Sequence, residues 1–144
     1  MSTEITAEPV AEPSTGRRML VVAAGAVASI AVWVPTGIIG GILPTVLLNG
    51  NEQVVRLYAI VVSSLVAGLA AWALLALLER KAKRPRRTWL LIATATLAVS
   101  LVSPLASAID TETRVVLCAM HLIVGAVLIF GLGRSARRSG VAES

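Results

Sequence analysis

The sequence predicts an all-α fold: an integral membrane four-helix bundle with N-in and C-in termini. Three observations predict it. First, the 144-residue chain is 56% hydrophobic and only 15% charged, with a mean hydropathy of +0.84; an ordinary soluble domain carries about 25% charged residues. Second, the apolar residues are gathered into four spans, at about 19–43, 54–78, 88–109 and 113–133. Each approaches or exceeds the roughly 20 residues that carry an α-helix across a bilayer core of about 30 Å. Third, eleven of the thirteen Lys and Arg residues lie on one side of the barrier that these spans define.

That third observation orients the chain. The stretch Glu79–Arg87, ERKAKRPRR, places Arg80, Lys81, Lys83, Arg84, Arg86 and Arg87 between spans 2 and 3, while Arg17 and Arg18 precede span 1 and Arg134, Arg137 and Arg138 follow span 4. Only Arg56 and Arg114 fall on the opposite side. Loops rich in Lys and Arg stay in the cytoplasm, so both termini and the 79–87 loop are expected there. The six basic residues of the loop are expected to meet anionic lipid headgroups, since each adds attraction near such a surface. A net charge of +5 would otherwise suggest nucleic acid, but basic residues placed where helices leave a membrane argue against it.

In chain order, residues 1–18 begin with MSTEITAEPVAEPSTG, too polar to pack, and are expected to form a disordered cytoplasmic tail. Span 1 contains Pro35 and reaches Pro44. An interior proline removes one backbone hydrogen bond, so a kinked or broken helix is expected, tolerated through Ser or Thr hydroxyls and neighbouring helices. Residues 45–48, TVLL, exceed the length needed to cross, and Asn49-Gly50-Asn51 marks the outer turn. Span 2 runs from about Val54. Span 3 opens at Thr88-Trp89, with the indole expected at the membrane interface, and carries a second interior proline, Pro104. Asp110 or Thr111 is a candidate N-cap for span 4, and residues 134–144 form the second cytoplasmic tail.

Chemistry-bearing residues inside the spans are few. At helical spacing, span 3 aligns Thr96, Ser100, Ser103 and Ser107, and span 4 aligns Arg114, Cys118, His121 and Gly125. His121 is the only ionisable side chain well inside a span, which makes it a candidate functional group. Small hydroxyl residues also serve simple helix packing, and a neutral imidazole can bond across a helix interface. The stripe His121, Cys118, Arg114, Ser100, Ser103 and Ser107 is therefore either a packed seam or the wall of a polar path. Gly37 and Gly41 form a GxxxG, a possible contact for a homo-oligomer or a membrane-protein partner. With one cysteine and one histidine, neither a disulfide nor a metal site within the chain is expected. No P-loop, HExxH, G-x-S-x-G or buried carboxylate pair is present, so neither enzyme nor cofactor is expected.

Four stretches, SLVAGLAAWALLALLER at 64–80, RRTW at 86–89, SLVSPLASA at 100–108 and TRVVLCAMHLIVGAVLIFGL at 113–132, carry a resemblance. Ser103-Pro104-Leu105 and Met120-His121-Leu122 are its most distinctive pieces. The chain resembles a family of uncharacterised four-span membrane proteins of actinobacteria, a domain of unknown function. The resemblance covers somewhat over half of the chain and implies a multi-pass protein of the cell membrane, with no activity or site residue to carry over. Two roles follow from the residues: a structural, assembly or interaction protein, or a small-solute transporter or channel subunit using the His121 face.

The charge asymmetry generates the first prediction. Reporters fused before residue 15 and inserted near Lys83 should read cytoplasmic, and one inserted at Asn49-Gly50 should read external. Replacing Arg84, Arg86 and Arg87 with Gln should lower the fraction of correctly oriented chains and weaken co-purification of anionic lipid; unchanged values for both would refute the assignment of this loop.

Overall fold

The computed structural model describes residues 15–136; most of both expected tails, with Arg137 and Arg138, lies outside the described residues. Helix α1 (Thr15–Val34) continues as a π-helical turn, Pro35–Ile39, and leads into a hairpin of β1 (Thr45–Leu48) and β2 (Asn51–Val54). Helices α2 (Leu57–Lys81), α3 (Pro85–Ser100), α4 (Val102–Ser107) and α5 (Thr111–Ser135) follow. Four helical segments among the described residues are long and apolar enough to cross a membrane: Thr15–Ile39, Leu57–Lys81, Pro85–Ser107 and Thr111–Ser135.

The proline in span 1 acts as its chemistry requires. Pro35 has no N–H, and the backbone widens so that Gly40 N–H donates to Pro35 O at 2.9 Å, an i→i+5 bond. Thr36 Oγ1 donates to Val32 O at 2.8 Å and lies 3.1 Å from Trp33 O, occupying carbonyls around the disturbed turn. At the second proline, α3 yields to α4 at Leu101, and Pro104 is buried.

Several bounds differ from those the sequence suggests. Residues 45–48 are not surplus length of span 1 but strand β1, paired antiparallel with β2 in the register Thr45↔Val54 to Leu48↔Asn51. Span 2 consequently starts at Leu57, not Val54. The turn is Asn49-Gly50, with φ of 51° and 79°; two successive left-handed residues make the tight turn that suits the twist of paired strands. Gly41, with φ +65°, lies beyond the helix, so Gly37 and Gly41 do not form a helical GxxxG face. The 79–87 stretch is mostly helical too. Glu79, Arg80 and Lys81 end α2, Pro85 starts α3, and only residues 82–84 connect them.

The hairpin is fastened to the start of α5. Asp110 Oδ1 accepts from Thr113 N–H at 2.6 Å as the N-cap, and Thr113 Oγ1 donates to Asp110 Oδ2 at 2.9 Å. Thr45 N–H in turn donates to Thr113 Oγ1 at 3.2 Å, and Val46 bridges to Ala108. Behind it, Val46, Ile42 and Val55 pack on Ile60, Val116, Leu117 and Met120.

Helix α1 lies between α2 and α5 because small residues let it approach both. A Cβ on Gly68 of α2 would come within 2.8 Å of Val22 Cγ1, and one on Gly131 of α5 within 2.6 Å of Val21 Cγ1. Ser64 Oγ donates to Ser29 Oγ at 3.2 Å, and Ser29 Oγ to Ala26 O at 2.7 Å, a buried polar chain between α1 and α2. At the basic end the three helices are clasped by Arg18, which is buried rather than a free topogenic charge. Its Nη2 donates to Glu79 Oε1 at 2.6 Å and to Ser135 O at 3.1 Å, and its Nε donates to Ser135 Oγ at 3.3 Å. The guanidinium thereby neutralises the carboxylate of α2 and meets a carbonyl at the C-terminus of α5, where the helix dipole favours a cation.

Two predictions follow. Removing one partner of a buried pair leaves the other charge uncompensated, so Glu79→Ala should lower stability by about 3 kcal/mol in a detergent-unfolding measurement, and Arg18→Met with Glu79→Met should recover much of the loss. The carboxyl of Asp110 is held below its usual value of 3.8, chiefly by the Thr113 backbone N–H and then by the Thr113 hydroxyl. A depressed carboxylate stabilises the fold above its unfolded value, and that contribution disappears as pH falls through the folded value. Asp110→Asn should therefore flatten the acid limb of stability below about pH 4, read by thermal unfolding at stepped pH.

Candidate functional site

The short connection 82–84 ties α2 and α3 together at the basic end, where Leu75, Trp89, Leu128 and Leu132 form one buried cluster. Trp89 is 1% exposed, and its Nε1 donates to Ile129 O at 3.2 Å. It is thus a core residue bonding α3 to α5, not the interfacial anchor its position suggests. At the hairpin end the corresponding cluster takes residues from α1, α2, α5 and the hairpin but none from α3. Helices α2 and α3 diverge between the two clusters.

The divergence leaves a cavity of about 670 Å³. Its α2 wall is a stripe at helical spacing, with Ala59, Ser63, Ala67 and Ala70 exposed and Ser64 and Ala71 deeper. Ala93, Thr96, Leu97 and Ser100 of α3 face it, and Leu117, Met120, His121, Val124 and Gly125 of α5 form the back. The α2 side chains of this stripe are small, so the helices bound the space without filling it. Leu97 closes on α5, where a Cβ at Gly125 would come within 2.6 Å of Leu97 Cδ1. Its exposed lining residues, Ala59, Ser63, Ala67 and Ala70 of α2 and Thr96 of α3, place the open side between these two helices.

The structure brings only part of the expected stripe together. His121 and Ser100 line the cleft, joined by Thr96. Cys118, Ser103, Ser107 and Arg114 do not line it: Cys118 is half-buried outside the cleft, Ser103 and Arg114 are exposed, and Ser107 donates to Ser103 O at 2.7 Å. Arg114 lies in the first turn of α5, at the hairpin end, and Ser103 and Ser107 lie on α4, beyond Ser100, the last α3 residue that lines the cleft. Cys118 lies on the flank of α5 beside the His121 stripe, not within it. Ser29, Ser63 and Ser64 were missed as lining residues; the i, i+4 run Ala59-Ser63-Ala67 was the available signal.

His121 lies ten residues into α5, about 15 Å from its start and so near half-depth. Its Nδ1 is 2.8 Å from Leu117 O. A carbonyl only accepts, so Nδ1 carries the proton, and in the neutral ring Nε2 keeps a lone pair. The lining serines are likewise occupied as donors: Ser100 to Leu97 O at 2.7 Å, Ser63 to Ile60 O at 3.0 Å, and Ser64 to Ser29 Oγ at 3.2 Å. Among the described residues no group of three or more His, Cys, Asp or Glu is placed to hold a metal. The basic residues Arg80, Lys81, Lys83, Arg84, Arg86 and Arg87 are all exposed at the opposite end of α2 and α3 from the hairpin.

Four apolar helices with a lateral cleft and a hairpin cap define a multi-pass membrane protein of the helical-bundle class. The chain belongs to the family of unknown function DUF6069, whose model matches residues 9–138. That match includes span 1, which the residue resemblance left out. No curated protein and no solved structure matches the chain.

Proposed function

We propose that this protein is an intramembrane binding module of the cytoplasmic membrane, with an interaction role and no catalytic activity. The observation that carries this reading is the cleft between α2 and α3, which opens sideways on the apolar flank and is bounded by a hydrophobic cluster toward each end. A water-filled path would instead run between the two ends of the bundle, where Leu75 and Trp89 on one side and Ile60 and Leu117 on the other are buried. Pockets of roughly 300–1,000 Å³ suit small ligands, and this one lies in that range. With the basic end in the cytoplasm, the exposed Arg and Lys residues of α2 and α3 contact anionic headgroups and fix the bundle at a set depth. The transporter reading rests on the His121 face being wet.

Cysteine accessibility separates the two. In a Cys118→Ser background, Ala67→Cys and Thr96→Cys in oriented vesicles should react with a membrane-dissolved maleimide and not with a membrane-impermeant one from either side. Labelling by the impermeant reagent would mean an aqueous path and would favour the transporter subunit.

A further inference from the structure

The hydrogen-bond inventory of the cleft specifies what kind of molecule it takes. Resting on the binding reading above, we infer that the cleft holds a neutral, membrane-dissolved molecule with a long apolar body and a free hydroxyl, which donates to His121 Nε2 at half-depth. Four features lead there.

No Asp, Glu, Lys or Arg lines the cleft, so it holds no fixed charge to neutralise a charged ligand. A charge buried without a partner is far too costly at that depth. The ligand is therefore neutral. Next, the Nδ1–H donated to Leu117 O leaves His121 as an acceptor at Nε2. Third, Ser63, Ser64 and Ser100 spend their protons on Ile60 O, Ser29 Oγ and Leu97 O, and show only lone pairs to an occupant. Thr96, on the open side, is the one lining hydroxyl whose proton is not so engaged. The cleft is thus richer in acceptors than in donors, and a complementary ligand brings an O–H. An ether or ester of the same shape would place oxygen against lone pairs.

The cleft extends from Ala59 to Leu74 along α2, about 22 Å at 1.5 Å per residue, long enough for an extended chain. A transmembrane helix spends its backbone N–H groups on its own ladder and brings none to the cleft's lone pairs, so a small molecule with a free hydroxyl suits the lining better than a second copy's helix.

The test uses the full-length protein in vesicles, with photoreactive farnesol and its photoreactive methyl ether as probes. Farnesol should crosslink to the α3 or α5 peptides bearing Thr96 or His121, with the ether weaker by about tenfold, the scale of one hydrogen bond made in an apolar site. His121→Phe keeps a ring but removes the acceptor; it should label equally with both probes, and an unchanged unfolding temperature would show that the bundle is intact. Equal labelling of wild type by alcohol and ether would overturn the proposal, as would failure of farnesol to label wild type while the dissolved maleimide reacts at Ala67→Cys. That second result leaves the cleft accessible and refutes only the ligand class. Failure of the dissolved maleimide as well would refute the binding reading itself. Crosslinking of Ala67→Cys between two chains would overturn the proposal in favour of a second copy as occupant.

Discussion

Arg18 enters the bundle where the start of α1 meets the ends of α2 and α5, and it is 5% exposed there. A guanidinium at such a site must be neutralised and hydrogen-bonded, because leaving it bare costs several kcal/mol. Glu79 supplies the charge and Ser135 supplies both a carbonyl and a hydroxyl oxygen. These partners come from separate helices, so satisfying one side chain fixes three helix ends. In lipid there is no apolar driving force to bring helices together, and polar contacts of this kind, with close backbone approach, replace it. The approach of Val22 to Gly68 and of Val21 to Gly131 continues the same association toward the hairpin end.

Helix α3 is outside that clasp, and the consequence is the cleft. Its ties to the bundle are the Trp89 bond to Ile129 O, the seating of Leu97 on Gly125 and the short link to α2. On its α2-facing side it offers Ala93, Thr96 and Ser100, and α2 answers with Ala59, Ser63 and Ala67. Two small-residue walls that converge at only one end enclose space. His121 stands at the back of that space, near half-depth, bonded through Nδ1 to Leu117 O.

How far the sequence discloses this can be judged residue by residue. The spans and the Asp110 cap were legible, since apolar length and an Asx residue ahead of a helix are local signals. The hairpin was partly legible: Asn49-Gly50 is a strong hairpin turn, but TVLL reads as surplus span because a short apolar run does not distinguish strand from helix. Trp89 was misplaced because an indole beside basic residues has the same signature whether it anchors at an interface or donates into a helix. Four of the six candidate stripe residues, Cys118, Arg114, Ser103 and Ser107, fall outside the cleft, because spacing along one helix does not say which part of its length meets a neighbour.

The sequence by itself determined the class of protein, the number of membrane-capable helices and the asymmetry of basic charge, because these depend on composition and on the 3.6-residue period alone. Only the tertiary structure decided that Arg18 and Glu79 are partners across 61 residues, that Trp89 faces inward, and that His121 shares a cleft with Ser63 and Thr96 but not with Cys118. Periodicity states which residues share a face of a helix. Which face meets which neighbour, and where two faces fail to meet, is settled by contacts between distant segments that no local pattern encodes.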